Sequence, residues 1–437
     1  MSGGLVIAAP ASGSGKTVLT LGLLRRLARS GRRIASAKTG PDYIDPSFHA
    51  AASGAPCLNL DPWAMRRETL AGLVAGLEAG AERILCEGVM GLFDGAGTAA
   101  AGSTADLAAA TGWPVVLVLD LRGQAASAAA LLRGFVEHRA DVSVAGVILN
   151  RVGGERHRAL AEAAIAKALP ELPILGAVPR LPEIALPARH LGLVPAGEHA
   201  DLDAFLDRAA ELVAGHLDLD ALLRLARPSR LGPAAPPSPL PPLGQRIAVA
   251  RDAAFAFLYE ATLAGWRRAG AELLFFSPLA DEAPAAAADA VYLPGGYPEL
   301  HAGRLATSRR FRAGLRAAAE RGAPVFAECG GYMAIGEGLI DGAGERHQMA
   351  GLLPLVTSFA APRLHLGYRA LRLLDASPLG PAGARFRGHE FHYARIVAEG
   401  PGTPLFETAD ADGAPLGAAG LRRGSVGGSF LHLVDRA

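Results

Sequence analysis

The sequence of 437 residues predicts an α/β protein with two domains, each built on a doubly wound, mainly parallel sheet. Short apolar runs alternate with amphipathic stretches in both halves of the chain, which is typical of strands alternating with helices. The runs at residues 114–120 and 144–150 are apolar almost without interruption, as parallel strands covered on both faces are. We therefore expect helices on both faces of each sheet.

A proline-rich stretch divides the chain. Seven prolines fall between Pro228 and Pro242, and such a segment favours an extended, semi-rigid linker. We expect a first domain at residues 1–227, a linker at 228–244 and a second domain at 245–437.

Composition excludes several classes of protein. The formal net charge is +1, so nucleic acid is not expected as a partner. Three cysteines do not make a disulfide framework, which fits a reducing cytoplasm. No apolar run reaches the length of a membrane span, and the amino terminus lacks the basic and apolar regions of a signal peptide. We expect a cytoplasmic protein without a membrane partner.

The amino-terminal segment predicts a phosphate site. Residues 5–9 read as a strand, residues 10–17 as a glycine-rich loop, and an amphipathic helix follows through Leu27. This is the order of a P-loop, although Pro10 stands where the pattern has its first glycine. Backbone amides of such a loop surround phosphate oxygens, the lysine reaches the β- and γ-phosphates, and the hydroxyl binds Mg²⁺. The expected ATP-binding residues are Gly13, Ser14, Gly15, Lys16 and Thr17.

Polar residues follow the next predicted strands, where open α/β sheets bind ligands. The strand at 33–37 is followed by Lys38 and by the segment 39–46, which supplies Asp42, Tyr43 and Asp45 as candidate substrate-site residues. A solvated Asp/Pro-rich turn explains this segment equally well on its own.

Acidic and amide side chains lie at the ends of two further strands. Glu87 follows the strand at 83–86 and is the expected second Mg²⁺ ligand beside Thr17, with Asp94 as the second choice. Asn150, at another strand tip, is a candidate for reading the adenine edge, although a polar end-cap fits as well. Cys86 is expected to be a core thiol.

The second half contains a candidate nucleophile. A strand expected at 323–327 leads through Glu328 to Cys329, and two glycines then open a helical pattern at 332–335. A sharp turn from strand to helix is the geometry of a nucleophile elbow. Amide groups at a helix amino terminus lower the pKa of a thiol and bind an oxyanion. A buried structural thiol is the alternative.

The surrounding elements form a second α/β pattern. We expect strands at 246–250, 272–276 and 290–293, a helix at about 256–269, and strand-like segments at 363–373, 388–397 and 427–432. A cysteine nucleophile needs a base, and spacing alone does not choose it. The candidate bases are His365, His389, His392 and His432.

At these residues a family is recognisable. The elbow at 328–333, the Leu-Pro-Gly-Gly-Tyr-Pro-Glu turn at 293–299 and the terminal Ser-Phe-Leu-His at 429–432 resemble a class I glutamine amidotransferase domain. The amino-terminal half resembles the dethiobiotin-synthetase-like P-loop proteins. With the segments 38–46, 87–95 and 388–392, the whole chain resembles the cobyrinate or hydrogenobyrinate a,c-diamide synthases. The stretch 58–65 is closer to the aerobic, hydrogenobyrinate form.

The resemblance implies roles for particular residues. Cys329 is the expected nucleophile on glutamine, His432 activates it, and Gly296 with Gly330 provides the oxyanion hole. Asp45 belongs to a motif tied to the corrinoid and acyl-phosphate site. A homodimer is also expected from the family. Val434 stands where other class I amidotransferases carry a glutamate two residues after the histidine, so the third member of the triad is undetermined.

The implied reaction is amidation of the a and c acetates of hydrogenobyrinic acid, with ATP, Mg²⁺, glutamine and an acyl phosphate. Within the class, the cobalt-containing ring of the anaerobic pathway and a nickel tetrapyrrole are alternative acceptors. A P-loop switch ATPase with an inactive amidotransferase-like domain is an alternative of another class. Ala11 stands where switch proteins carry a signature lysine, which argues against it. A stand-alone glutaminase leaves the P-loop unexplained.

Overall fold

The computed structural model describes residues 2–180, 188–189, 192–193, 196–199, 201–232, 234–235 and 237–437. The chain forms two compact units. The first comprises residues 1–63 and 67–236, and the second comprises residues 64–66 and 237–437. Within the described residues, no helix combines the length and apolar character needed to cross a bilayer.

The first unit alternates strands and helices along the chain. Its strands are β1 Gly3–Ala8, β2 Ile34–Thr39, β3 Cys57–Leu60, β4 Arg83–Glu87, β5 Val115–Asp120, β6 Val144–Val152, β7 Ile174–Pro179, β8 Ala188–Arg189 and β9 Gly192–Leu193. Its helices are α1 Lys16–Arg29, α2 Asp45–Ser53, α3 Arg67–Gly80, α4 Thr104–Thr111, α5 Ser127–Glu137, α6 Glu155–Ala168, α7 Leu202–His216 and α8 Leu219–Leu225.

The central sheet of the first unit has seven strands in the order β3-β2-β4-β1-β5-β6-β7. Every neighbouring pair in it is parallel. Strands β1 and β5 are almost completely buried, as their apolar sequences require. The carboxyl ends of β1, β2 and β4 therefore lie side by side at one edge, where the polar loop residues collect.

The second unit contains more strands. They are β10 Arg246–Ala250, β11 Glu272–Phe276, β12 Ala290–Leu293, β13 Val325–Glu328, β14 Gly338–Ile340, β15 Arg346–Gln348, β16 Leu355–Ser358, β17 His365–Leu373, β18 Arg385–His392, β19 Arg395–Glu399, β20 Thr403–Ala409, β21 Pro415–Arg423, β22 Val426–Ser429 and β23 Leu431–Arg436. Its helices are α9 Glu260–Arg268, α10 Ala302–Thr307, α11 Arg309–Glu320 and α12 Gly330–Ile335.

The large sheet of the second unit is mixed. Its order is β11-β10-β12-β13-β22-β21-β20-β17-β18-β23. The five strands from β11 to β22 pair in parallel, and the remaining pairs are antiparallel. A smaller sheet has the order β15-β14-β16-β19. The predicted α/β class is confirmed, with a parallel core and an antiparallel extension that periodicity did not distinguish.

Three predicted elements differ from the structure. The helix expected from residue 256 begins at Glu260, because Phe257 instead forms a bridge with Gly295, its amide donating to the Gly295 carbonyl over 3.0 Å. The segment 388–397 divides between β18 and β19, which belong to different sheets. The segment 427–432 divides at Phe430, because β22 pairs with β13 whereas β23 pairs with β18.

Candidate active sites

The loop between β1 and α1 has the shape of a phosphate cradle. Gly15 has φ 93°, and a side chain there would meet the Asn150 amide nitrogen 2.3 Å away, so this position requires glycine. Lys16 is 7% exposed, and its ammonium donates to the Met90 carbonyl over 2.6 Å. Burial lowers the pKa of Lys16 to about 8. An anionic ligand in this loop would restore full charge to the lysine.

Glu87, at the end of β4, is the hub of a buried network. Its carboxylate accepts from the Thr17 hydroxyl over 2.6 Å and from the Lys38 ammonium over 3.1 Å, and it contacts His49 Nε2 at 2.6 Å. Burial alone would raise the pKa of Glu87, but the Lys38 charge and the His49 bond outweigh it and hold the pKa well below its ordinary value. Glu87 is therefore an ionised, fully buried carboxylate.

The predicted substrate-site residues lie around Lys38. Its ammonium forms an ion pair with the Asp45 carboxylate and lies 3.9 Å from Asp42. Burial first, and then Asp42, raise the pKa of Asp45 to about 7. Asp42 accepts from the backbone amides of Ile44 and Asp45, which shapes the loop before α2. Tyr43 is partly buried in the same loop.

Thr17 and Glu87 fit a magnesium ion. Both offer oxygen atoms, which Mg²⁺ prefers, and these atoms are 2.6 Å apart beside the phosphate loop. Asp94, the second choice as a magnesium ligand, accepts a hydrogen bond from the Gly91 amide over 2.8 Å and so stabilises the turn that contains it. The assignment of Thr17 and Glu87 as ligands stays a prediction.

Asn150 stabilises the phosphate loop through a hydrogen bond to the loop backbone. Its amide nitrogen donates to the Ser14 carbonyl over 2.8 Å, and the neighbouring Arg151 donates to the Gly13 carbonyl over 2.7 Å. This contact differs from the predicted reading of an adenine edge, which stays untested. Cys86 is fully buried, and burial raises the pKa of its thiol to about 12, as in a core thiol.

Cys329 occupies a strained elbow in the second unit. Strand β13 ends at Glu328, helix α12 begins at Gly330, and Cys329 between them has φ 45°. Few residues other than glycine adopt such a backbone, and it recurs where a nucleophile must be presented. Cys329 is 3% exposed, and burial, followed by the charge of Glu299, raises the pKa of its thiol above the ordinary value. The Gly330 amide opposes this shift.

His432 and Cys329 lie close together, on the side of Gly295 where any other residue would carry its side chain. A Cβ atom at Gly295 would be 2.5 Å from His432 Cε1 and 3.3 Å from Cys329 Cβ. Burial first, and then His389 and His392, lower the pKa of His432, so its ring is neutral and able to accept a proton. A neutral imidazole next to a protonated thiol can remove the thiol proton when substrate arrives.

The two predicted oxyanion residues are neighbours. The amide nitrogen of Gly296 lies 2.9 Å from the point where a Gly330 side chain would begin. The two residues therefore lie close together, and their role as oxyanion donors stays a prediction. The remaining candidate bases are less suitable. The His389 ring stacks on His432 at 4.8 Å and bonds Tyr259 Oη, while His365 and His392 stack on each other.

Glu328 is the carboxylate that faces His432. Its Oε2 lies 3.9 Å from His432 Nδ1 and accepts from the Tyr292 hydroxyl over 2.8 Å, and its Oε1 accepts from the Leu433 amide over 3.1 Å. Asp435, the acid nearest in sequence after His432, instead accepts two bonds at 2.8 Å from Arg66. Glu328, the residue before Cys329, thus lies within ion-pair distance of His432, although it was not among the predicted site residues.

Comparison with known families divides the chain in the same way. Residues 5–194 match the CobQ/CobB/MinD/ParA nucleotide binding domain, and residues 246–436 match the CobB/CobQ-like glutamine amidotransferase domain. A hydrogenobyrinate a,c-diamide synthase from Sinorhizobium sp is 56% identical over 436 residues, covering 99% of each chain. The chain belongs to the hydrogenobyrinate a,c-diamide synthase family.

Other members of the hydrogenobyrinate a,c-diamide synthase family are similarly close. The enzyme of that name from Brucella anthropi is 56% identical over 434 residues, covering 99% of this chain and 98% of its own. Among solved structures, the septum site-determining protein MinD with Mg-ADP from Pyrococcus horikoshii covers 49% of this chain and 98% of its own, at 20% identity and a TM-score of 0.30. The family resemblance predicted from the motifs is confirmed.

Two residues near this family's predicted sites were missed by sequence reasoning. His49 lies one helical turn after Asp45 on α2, a spacing that places both on one face, and this was the available signal. Glu328 was noted only as a neighbour of Cys329. Nothing in the local pattern indicates that β13 delivers its carboxylate to a histidine on β23.

Gly295→Ala tests the proximity of Cys329 and His432. The added methyl group would overlap His432 and displace its ring, so we expect glutaminase activity to fall at least about 100-fold, because small misplacements of reacting groups have effects of this size. Ammonia-dependent amidation should be unchanged. Gly342→Ala, at a turn with no atom within 4 Å, is the matched control. Wild-type glutaminase activity in Gly295→Ala would contradict the geometry.

Proposed function

We propose that this protein amidates the a and c acetate carboxylates of hydrogenobyrinic acid in cobalamin biosynthesis, using ATP and the ammonia released from glutamine. The observation that carries the proposal is the presence of two complete centres in one chain. One unit holds a strained buried thiol beside a neutral imidazole, and the other holds a phosphate loop with a buried ionised carboxylate. Full-length identity to synthases of that name supports the acceptor.

The glutamine half-reaction uses the second unit. Cys329 Sγ attacks the side-chain amide carbon of glutamine while His432 takes the thiol proton. The amides of Gly296 and Gly330 stabilise the oxyanion. His432 returns the proton to the departing ammonia, which leaves a glutamyl thioester, and water then hydrolyses this thioester to glutamate.

The synthetase half-reaction uses the first unit. An acetate oxygen of the ring attacks the γ-phosphorus of ATP, ADP leaves, and ammonia displaces phosphate from the acyl phosphate. The P-loop amides and Lys16 hold the phosphates, and Lys38 neutralises the charge near the transferred group. Mg²⁺ held by Thr17 and Glu87 would neutralise phosphate oxygens. His49 and Lys38 fix the orientation of Glu87 through their bonds to it.

We assign Glu328 as the third member of the catalytic triad, together with Cys329 and His432. It faces His432 Nδ1 and also holds the backbone immediately after that histidine, so it orients the ring in two ways. A carboxylate at this position stabilises the imidazolium that forms as Cys329 attacks. Burial raises the pKa of Glu328 to about 7, so its charge, and with it this stabilisation, decreases as the pH falls below neutrality.

Glu328→Gln tests this part of the proposal. Glutamine keeps the shape and can still accept from Leu433, but it removes the charge. We expect kcat for glutamine hydrolysis to fall roughly ten- to hundredfold with little change in KM, which corresponds to the loss of a charge-assisted interaction of about 1.5–3 kcal/mol. Tyr292→Phe, which removes one neutral donor to Glu328, is the control and should lose less. Equal losses in the two variants would exclude a charge effect.

The acceptor is tested by mass spectrometry. The protein is incubated with ATP, Mg²⁺, glutamine and an equimolar mixture of hydrogenobyrinate and cobyrinate. We expect a mass loss of about 2 Da, two carboxyl-to-amide conversions, in the metal-free ring only. A diamide of the cobalt ring alone would assign the protein to the anaerobic pathway instead. Glutaminase activity without amidation of either ring would show that the acceptor is a different carboxylic acid.

A further inference from the structure

We propose that His365, Glu390 and His392 form a binding site for a divalent transition-metal ion, of which Zn²⁺ is the best match. One ligand atom from each side chain lies within 4.8 Å of the other two. The proposed reaction uses none of these side chains, so the site is additional to both centres described above.

The sheet register brings the three side chains together. Glu390 and His392 are two residues apart on β18 and therefore share one face of the sheet. His365 on β17 is directly opposite His392, and Gly367 is directly opposite Glu390. Because Gly367 has no side chain, the space above it is open to Arg369, whose Nη1 lies 2.6 Å from where a Cβ atom would be. His365 and His392 thus face each other across the two strands, and Glu390 lies beside His392 on the same face, so three possible metal ligands are close together.

The hydrogen bonds of His392 orient one nitrogen as a ligand. Its Nδ1 faces the Ala394 carbonyl at 3.0 Å, and a carbonyl only accepts, so Nδ1 carries the proton. The other nitrogen, Nε2, faces Glu390 Oε1 at 2.9 Å. Such a contact needs a positive charge, which is supplied either by a second proton on His392 or by a metal ion bound to both atoms, and zinc binding distinguishes the two. A histidine that donates its other N–H to a backbone carbonyl is the usual arrangement of metal-binding imidazoles.

Neighbouring residues hold Glu390 and His392 in place through atoms other than the proposed ligand atoms. Arg369 binds only Oε2 of Glu390, with Nε at 3.0 Å and Nη2 at 2.8 Å, which leaves Oε1 available. The His392 ring packs between His365, at 4.7 Å, and Phe430, at 3.9 Å. Phe430 lies two residues before His432, so a metal ion here would stiffen the segment that carries the proposed base.

The donor set selects the type of metal. Two imidazoles and one carboxylate are the ligands of zinc sites that keep a position for water. Zinc bonds of about 2.0–2.2 Å require the ligand atoms to be roughly 3.3–3.5 Å apart. A separation of 4.8 Å must therefore shorten by about 1.4 Å, while His392 Nε2 and Glu390 Oε1, which are 2.9 Å apart, must separate by about 0.5 Å. His365 and Glu390 are only partly buried, and a rotation of their side chains provides this movement.

Metal content of the tag-free full-length protein tests the proposal. After treatment with a chelator, the protein is dialysed against Zn²⁺, separated from free metal and analysed by mass spectrometry of the elements. We expect one zinc per chain, and visible absorption bands of a four- or five-coordinate ion when Co²⁺ replaces Zn²⁺. His365→Gln and His392→Gln should each weaken zinc binding at least about 100-fold, because each removes one of three ligands.

A second cluster supplies the matched control. Asp341, Glu345 and His347 also bring three donor atoms together, but Asp341 Oδ1 already accepts from the amides of Ala343 and Glu345, and Glu345 is exposed. We expect His347→Gln to keep the zinc. If the wild-type protein binds less than about a tenth of an equivalent, or if the loss occurs only in His347→Gln, the proposal is wrong, and His392 is a protonated partner of Glu390. His365 is partly exposed, so His365→Gln decides the matter if His392→Gln does not fold.

Discussion

Cys329→Ala is expected to abolish glutamine-dependent amidation, with a loss of at least about 10³-fold, while amidation from added ammonium continues at the wild-type rate. The thiol is the group that forms the covalent bond to glutamine, and no neighbouring side chain can replace it. The first unit, which carries the phosphate loop, does not contain Cys329 and should keep its chemistry. Product is measured by mass spectrometry with glutamine or ammonium chloride as the nitrogen source.

Two companion variants make this result specific. Cys329→Ser keeps the size and the strained backbone, and we expect it to be as inactive with glutamine as the alanine variant. Cys86→Ala removes another buried thiol, whose contact is the Thr39 hydroxyl at 3.6 Å, and should retain both activities. If Cys329→Ala also lost ammonium-dependent amidation at unchanged stability, Cys329 would have to act in both half-reactions.

Lys16→Ala should abolish amide formation from glutamine and from ammonium alike, again by at least about 10³-fold. Removing the ammonium takes away the charge that stabilises the transferring phosphoryl group, and a loss of about 4 kcal/mol of transition-state stabilisation corresponds to this factor. Hydrolysis of glutamine alone should persist, because Cys329 and His432 are untouched. ADP release and diamide formation are measured in parallel.

The control for Lys16 is another lysine of the same unit. Lys167 is exposed in the last turn of α6, so Lys167→Ala should change neither activity. Thr17→Val extends the test to the proposed ion site, because it removes the hydroxyl that bonds Glu87. We expect its amidation to need a higher Mg²⁺ concentration. Retention of full amidation in Lys16→Ala would remove the phosphate loop from the mechanism.

Contiguous motifs accounted for most of what could be predicted. The phosphate loop and the Cys329 elbow are each encoded within about ten residues, because a strand, a glycine-rich turn and a helix follow one another directly. The parallel strands were also predictable, since burial on both faces demands uninterrupted apolar runs. The expected helix from residue 256 was wrong at its start, because the bridge between Phe257 and Gly295 depends on a residue almost forty positions away.

The sequence alone determined the α/β character and the family, and it predicted Cys329 as the nucleophile and Lys16 as the phosphate-binding lysine, because each of these features is encoded in neighbouring residues. His432 was assigned to Cys329 through the family resemblance, whereas only the tertiary structure revealed which acid faces that histidine and that His49 contacts Glu87. These choices follow from strand order and register: β13 lies beside β22, and β23 pairs with β18. Such pairings join residues up to a hundred positions apart, and no local periodicity specifies which pairing forms.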